Sequence, residues 1–172
     1  IWEDSLEWMN DETPEPGTLG NGDQSRAMDP LGTYDRPADG DYDYKDGAYG
    51  VQSWWDYGHW ITVHGDRIPN ANPFQQNAKA AADYLLAPNE TAASDALDQT
   101  MDEGDETRYV MVDWKMVTPG SKFAAPTAFN DNVSRSDLIR PAYPRTERGY
   151  GRPIQLRTQR YYDSQVVRLY AY

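Results

Sequence analysis

An α-rich mixed α/β domain is the fold class expected of this 172-residue chain. Alanine and leucine recur at helical spacing between residues 74 and 101, while the short continuous apolar run Tyr109-Val110-Met111-Val112 is of strand type. No apolar run approaches the ~20 residues that a membrane helix requires. The chain is therefore read as one water-soluble domain, residues 1–172, long enough to bury a core.

Taken in order, Trp2, Leu6 and Met9 share a helical face, Glu3 and Asp4 suit the positive first turn, and Thr13-Pro14-Glu15-Pro16-Gly17 ends the segment. From Gly17 to about Gly47 the chain is rich in Gly, Asp and Pro, so a long acidic irregular stretch is expected. Ser53 and Asp56 have capping-box spacing and predict a helix start. Asn72-Pro73 reads as N-cap and first helical residue, followed by a stripe of Phe74, Ala78, Ala81, Ala82 and Leu85 that Pro88 stops. Asn89-Glu90-Thr91 opens another helix, with Ala92, Ala96, Leu97 and Met101 on one side and Gly104 as its stop. Near the end, Ile154 to Leu156 suit a strand, and Tyr162, Val166, Leu169 and Tyr170 suit a closing helix.

Charge is distributed unevenly. Residues 1–107 hold 23 acids and 5 bases, whereas residues 108–172 hold 5 acids and 11 bases. Net charge is −12, the sequence pI is about 4.4, mean hydropathy is −0.88, and only Lys45, Lys79, Lys115 and Lys122 are lysines. An acidic, lysine-poor surface suits strong salt and a halophilic source. Such a field repels phosphate, so a nucleic-acid partner is not expected. Cysteine is absent, which excludes disulfides, thiolate metal sites and a cysteine nucleophile. The chain starts at Ile1 with no basic-then-apolar leader, and it reads as a piece of a longer protein.

The most distinctive motif is Trp54-Trp55-Asp56-Tyr57-Gly58. Two adjacent indoles at a helix start cannot both enter one core, so at least one should face outward. Indole N–H donors beside a carboxylate acceptor can receive a hydroxyl group, which accepts from the indoles and donates to Asp56. On the residues alone, a pair of core tryptophans with Asp56 as a helix cap explains the pentapeptide equally well.

This pentapeptide resembles the WWDYG signature of oligosaccharyltransferase catalytic subunits, and the likeness continues through Ser53, His59-Trp60-Ile61 and Arg67-Ile68-Pro69-Asn70-Ala71-Asn72-Pro73-Phe74-Gln75-Gln76. The chain is similar to the C-terminal globular domain of the archaeal branch, whose extracellular setting would account for the acidic surface. That resemblance implies that Trp54, Trp55 and Asp56 bind the Ser or Thr of an Asn-X-Ser/Thr acceptor, at position +2. It also implies a second motif, an Asp followed three residues later by Lys or, in a variant, Met, and an Ile seven places beyond. Asp113 and Met116 match the variant, although position 123 is Phe and Lys115 stands one place early. The remaining implications concern a longer protein in the cell membrane with this domain on the extracellular face. Its donor would be a dolichol-phosphate-linked oligosaccharide and its cofactor a divalent cation (Mg or Mn). Neither is expected to bind here, and no catalytic residue is expected in this stretch. The expected arrangement places Trp54, Trp55 and Asp56 opposite Asp113 and Met116 across a shallow groove.

Weaker patterns are present too. The acidic run at 39–46 fails the EF-hand pattern, because Tyr44 and Gly50 stand where Gly and Glu are needed, which leaves an irregular calcium site or a solvated loop. His59 and His64, the only histidines, lie five apart with no HExxH context and are assigned no metal. Asn89 and Asn132 open glycosylation sequons by pattern. Two rival functions remain open on composition: a carbohydrate-binding module using the 13 Tyr and 6 Trp, and a glycoside hydrolase pairing Asp56 with Asp113. Because the first 107 residues repel one another unless screened, the thermal midpoint should rise from low to molar salt. A melt series showing no gain would refute salt adaptation.

Overall fold

The computed structural model describes residues 2–20, 22–35, 37–38, 44–100 and 106–171. Helix outweighs strand, as expected, and the backbone clusters into two compact units, Ile1–Ala81 with Leu97–Met111, and Ala82–Ala96 with Val112–Tyr172.

The first unit is built on a three-stranded parallel sheet in the order β2-β1-β3, comprising β1 (Tyr49–Gln52), β2 (Ile68–Pro69) and β3 (Glu106–Val110). The central strand β1 is buried along its whole length, the behaviour of a parallel strand covered on both faces. Helix α1 (Trp2–Glu12) buries Leu6 and Met9, spaced to share one helical face, and they join Tyr49, Val51 and Ile61 in the core. Ile61 comes from α2 (Gly58–Gly65), which ends on Asp66 in the left-handed conformation at φ 50°. Apart from a short 3-10 turn at Gln24–Arg26, the described residues between Gly17 and Gly47 are irregular. The acidic run at 39–43, Met101 and Gly104 lie outside the described residues.

Arg67 is fully buried, and among the described residues its hydrogen-bond partners include no carboxylate. Its Nε donates to Thr13 Oγ1 at 2.9 Å, and Nη2 donates to the carbonyls of Asn10 at 3.0 Å and Thr13 at 2.7 Å. Nη1 donates to the carbonyls of Asp66 at 2.7 Å and Gly65 at 3.4 Å. These carbonyls belong to the C-terminal ends of α1 and α2, where orphaned acceptors and the negative helix pole favour a cation. The Thr13 hydroxyl donates onward to the Met9 carbonyl at 2.6 Å, and Tyr49 Oη, 3.2 Å from Thr13 Oγ1, donates to the Pro14 carbonyl. Burial raises the Tyr49 phenol above its usual range.

Helix α3 (Ala78–Leu85) begins later than the Asn72-Pro73 pattern predicted. Asn72 instead accepts from Phe74 N at 3.0 Å in a tight turn, Gln75 and Asn77 take left-handed φ values of 64° and 55°, and Phe74 is largely exposed. Local side-chain capping has won over helix propensity here.

In the second unit, α4 (Glu90–Leu97) is capped by Asn89, whose Oδ1 accepts from Ala92 N at 2.9 Å, as expected. Then follow α5 (Trp114–Val117), a 3-10 stretch at Lys122–Ala128, and α6 (Arg135–Leu138). Strands β4 (Ile139–Ala142) and β7 (Ile154–Arg157) pair antiparallel, as do β5 (Arg145–Thr146) and β6 (Gly149–Tyr150). The predicted closing helix is split into α7 (Gln159–Tyr162) and α8 (Gln165–Ala171) at Asp163-Ser164, where the Ser164 hydroxyl donates to the Tyr161 carbonyl at 2.6 Å. Tyr161 anchors this end, donating to the Val117 carbonyl at 2.6 Å with its ring 4.6 Å from that of Phe123.

Replacing Arg67 by Ala strands three carbonyls that now accept at 3.0 Å or less, at about 1–3 kcal/mol for each that stays buried. We expect a loss of about 3 kcal/mol or more, a fall of roughly 6–12 °C in thermal midpoint, with Arg67→Lys retaining part of it. An unchanged midpoint for Arg67→Ala would refute this role.

Candidate functional site

The Trp54-Trp55-Asp56-Tyr57-Gly58 segment follows the C-terminal end of β1 and forms a 3-10 turn, Trp55–Tyr57, that runs directly into α2. Trp54 stands at the N-cap with extended backbone and is only 2% exposed. Trp55 and Asp56 are half-buried, so one indole enters the core while its neighbour keeps part of its ring exposed. The rings of Trp54 and Trp55 lie 5.8 Å apart at 51°. Ser53 does not cap this turn. Its hydroxyl donates to the Met111 carbonyl at 2.9 Å, tying the segment to the end of β3, so the expected capping box is absent.

Support comes from positions that spacing could not connect to the motif. Tyr57 is buried and stacks on Trp2 at 4.1 Å, while Trp60 meets both rings edge-on or tilted at 5.9 and 5.7 Å. Gly58 is required by packing, since a Cβ there would lie 2.3 Å from the Ala71 carbonyl oxygen. The Ala71 segment is pinned in turn. Asn70 Nδ2 donates to Thr100 Oγ1 at 2.9 Å and Thr107 Oγ1 at 2.6 Å, and Asn77 Nδ2 donates to the Asn70 carbonyl at 3.0 Å. His59, the second residue of α2, meets Phe74 edge-on at 5.6 Å beside a cleft of about 430 Å³ also lined by Tyr34 and Asn72.

Asp113 and Met116 belong to the second unit, whereas Trp54, Trp55 and Asp56 belong to the first. Asp113 is the N-cap of α5, its Oδ1 accepting from Met116 N at 2.9 Å, and both residues are buried. The three-residue spacing between them is thus the spacing of a capped turn. A carboxylate committed to a helix cap is poorly placed as one of a hydrolase pair, and this removes the main attraction of the Asp56–Asp113 reading. His59 and His64 are both exposed. Among the described residues no group of three or more His, Cys, Asp or Glu side chains could hold a metal ion. The described residues thus offer no fit to the divalent cation that the resemblance implies.

The family model described as the AglB core domain matches residues 1–117. The chain belongs to the AglB core-like family. A similar relative is the dolichyl-monophosphooligosaccharide–protein glycotransferase AglB of Haloferax volcanii, 52% identical over 99% of this chain and 17% of its own length. That source agrees with the salt-adapted composition. Two solved structures share the fold. The archaeal oligosaccharyltransferase AglB from Archaeoglobus fulgidus in complex with an inhibitory peptide and a dolichol-phosphate superposes with a TM-score of 0.72 at 25% identity. An Archaeoglobus fulgidus oligosaccharyltransferase tethered to an acceptor peptide containing the NVT sequon superposes with a TM-score of 0.72 at 26% identity. In each case 98% of this chain and 21% of the other are covered. The AglB core-like chain thus spans about a fifth of the length of the relatives it matches.

Within this AglB core-like turn, Gly58→Ala forces backbone against backbone. We expect a loss of about 1–3 kcal/mol in chemical denaturation, with the Tyr57 ring environment changed in near-ultraviolet circular dichroism. Wild-type stability would show that the approach of Ala71 is not tight.

Proposed function

We propose that the chain is the C-terminal globular domain of an archaeal oligosaccharyltransferase and binds the acceptor, holding the Ser or Thr hydroxyl at position +2 of an Asn-X-Ser/Thr sequon on Trp54, Trp55 and Asp56. One observation carries the reading: the 3-10 turn holds an indole and a carboxylate side by side, half-buried, on a rigid support of Tyr57, Trp2 and the Ala71 backbone. The tethered NVT-sequon peptide in a relative of the same fold supports it.

A hydroxyl is both donor and acceptor, and this turn supplies the complementary pair. The acceptor hydroxyl donates its proton to the Asp56 carboxylate and accepts from indole N–H. An acceptor lacking the hydroxyl forgoes both hydrogen bonds, and that loss is the source of selectivity. The domain positions one reactant and lends no group to bond making. On this reading the dolichol-phosphate-linked oligosaccharide and the divalent cation belong to parts of the enzyme outside this chain, and the domain faces the cell exterior. The 172-residue chain alone should transfer nothing.

Glycan transfer by the full-length enzyme to Asn-X-Thr and Asn-X-Ala peptides tests the proposal. Asp56→Ala should lower kcat/KM for Asn-X-Thr by roughly ten- to a hundredfold, the cost of one buried charge-assisted hydrogen bond, and narrow the preference over Asn-X-Ala. Binding of the lipid-linked donor should be unchanged. Transfer to Asn-X-Thr at wild-type efficiency would overturn it.

A further inference from the structure

Residues 139–157 fold back on themselves as one long hairpin, with β4 and β7 at its base and β5 and β6 at its tip. The base is anchored in the second unit. Ile139 is buried, and the Arg157 guanidinium lies 5.1 Å over the Tyr161 ring. From Arg140 to Arg157, all but Ala142 and Gly151 are exposed. Large apolar side chains gain nothing from such a position unless something covers them, yet Tyr150 is 81% exposed, Tyr143 58%, Ile154 51% and Leu156 50%.

Charge sets the hairpin apart from the rest of the chain. Within a protein of net charge −12 it carries Arg140, Arg145, Arg148, Arg152 and Arg157, no lysine, and Glu147 as its one acid. Cross-strand partners share a face, so Arg140 stands beside Leu156 at the base and Arg145 beside Tyr150 at the tip. Each pairs a cation with an apolar body.

We propose that this hairpin is a membrane-surface contact that docks on anionic phospholipid. Tyrosine settles at headgroup depth, and aliphatic side chains enter the boundary below. Guanidinium binds phosphate through two parallel hydrogen bonds, a short-range contact that survives in strong salt better than the diffuse attraction of an ammonium. An acidic polypeptide would also attract the arginines but offers nothing to Ile154 and Leu156. Pro141 lies within β4, and with Pro144 and Pro153 it removes backbone donors that addition of a partner strand would use.

Flotation of the 172-residue chain with vesicles is the test, comparing phosphatidylcholine alone with a mixture holding about one-third phosphatidylglycerol, in low and molar salt. We expect binding to the anionic vesicles only. Arg145→Glu, Arg148→Glu and Arg152→Glu combined should weaken partitioning by roughly a hundredfold, given the contribution of each base near a charged surface. Tyr150→Ala should weaken it severalfold and remove what persists in molar salt. These side chains lie outside the core, so far-ultraviolet circular dichroism should be unchanged in both variants. Flotation equal on both vesicle types, none on either, or a triple variant that floats as wild type would overturn the proposal. Capture by polyglutamate without flotation would also overturn it, in favour of an acidic protein surface.

Discussion

A buried guanidinium held by carbonyls, with no carboxylate on it among the described residues, is the constraint on which the first unit rests. Arg67 directs its donors at two helix ends and one hydroxyl, so the cation is stabilised by carbonyl dipoles instead of a counter-charge. Lysine could not reproduce that fork, and an apolar residue would strand the acceptors. The consequence reaches the candidate site through α1. Its C-terminal end is gripped by Arg67, and at its other end Trp2 stacks on Tyr57, next to Asp56. The turn that presents Trp55 and Asp56 therefore inherits its placement from a cation more than ten residues away in sequence.

The other wall of that support is the 70–77 segment, where side chains do the work of regular structure. Amides of Asn70 and Asn77 bridge to Thr100 and Thr107, while Gln75 and Asn77 accept left-handed backbone, a conformation costing on the order of 1 kcal/mol or more for non-glycine residues. What this achieves is the approach of the Ala71 carbonyl to Gly58, which admits no side chain. The glycine of the pentapeptide is thereby explained by space, since its φ of −54° is ordinary helix.

Where the chain signals through local pattern, the sequence was a good guide. Leu6 and Met9 define α1, Asn89 caps α4, the Tyr109 run contributes to β3, and Ile154 to Leu156 form most of β7. Local rules failed where a distant partner outbid them. Ser53 leaves its expected cap for the Met111 carbonyl, and Asn72 builds a turn where a helix start was read. Neither Arg67 nor the Trp2–Tyr57 stack has any local signature, because what makes them matter lies far along the chain. The pentapeptide Trp54 to Gly58 stood out by its composition. Its support did not.

The parallel pairing of β1 with β3 joins residues 49–52 to residues 106–110. During synthesis the central strand must wait, with Tyr49 and Val51 unburied, until Val110 has left the ribosome. The intervening 82–96 segment, assigned to the second unit, waits longer still, for the C-terminal third. Long-range closure of this kind slows folding and prolongs the life of exposed apolar strands. A nascent chain stalled between these two points would hold neither unit complete, which makes the order of emergence, as much as final stability, a determinant of yield.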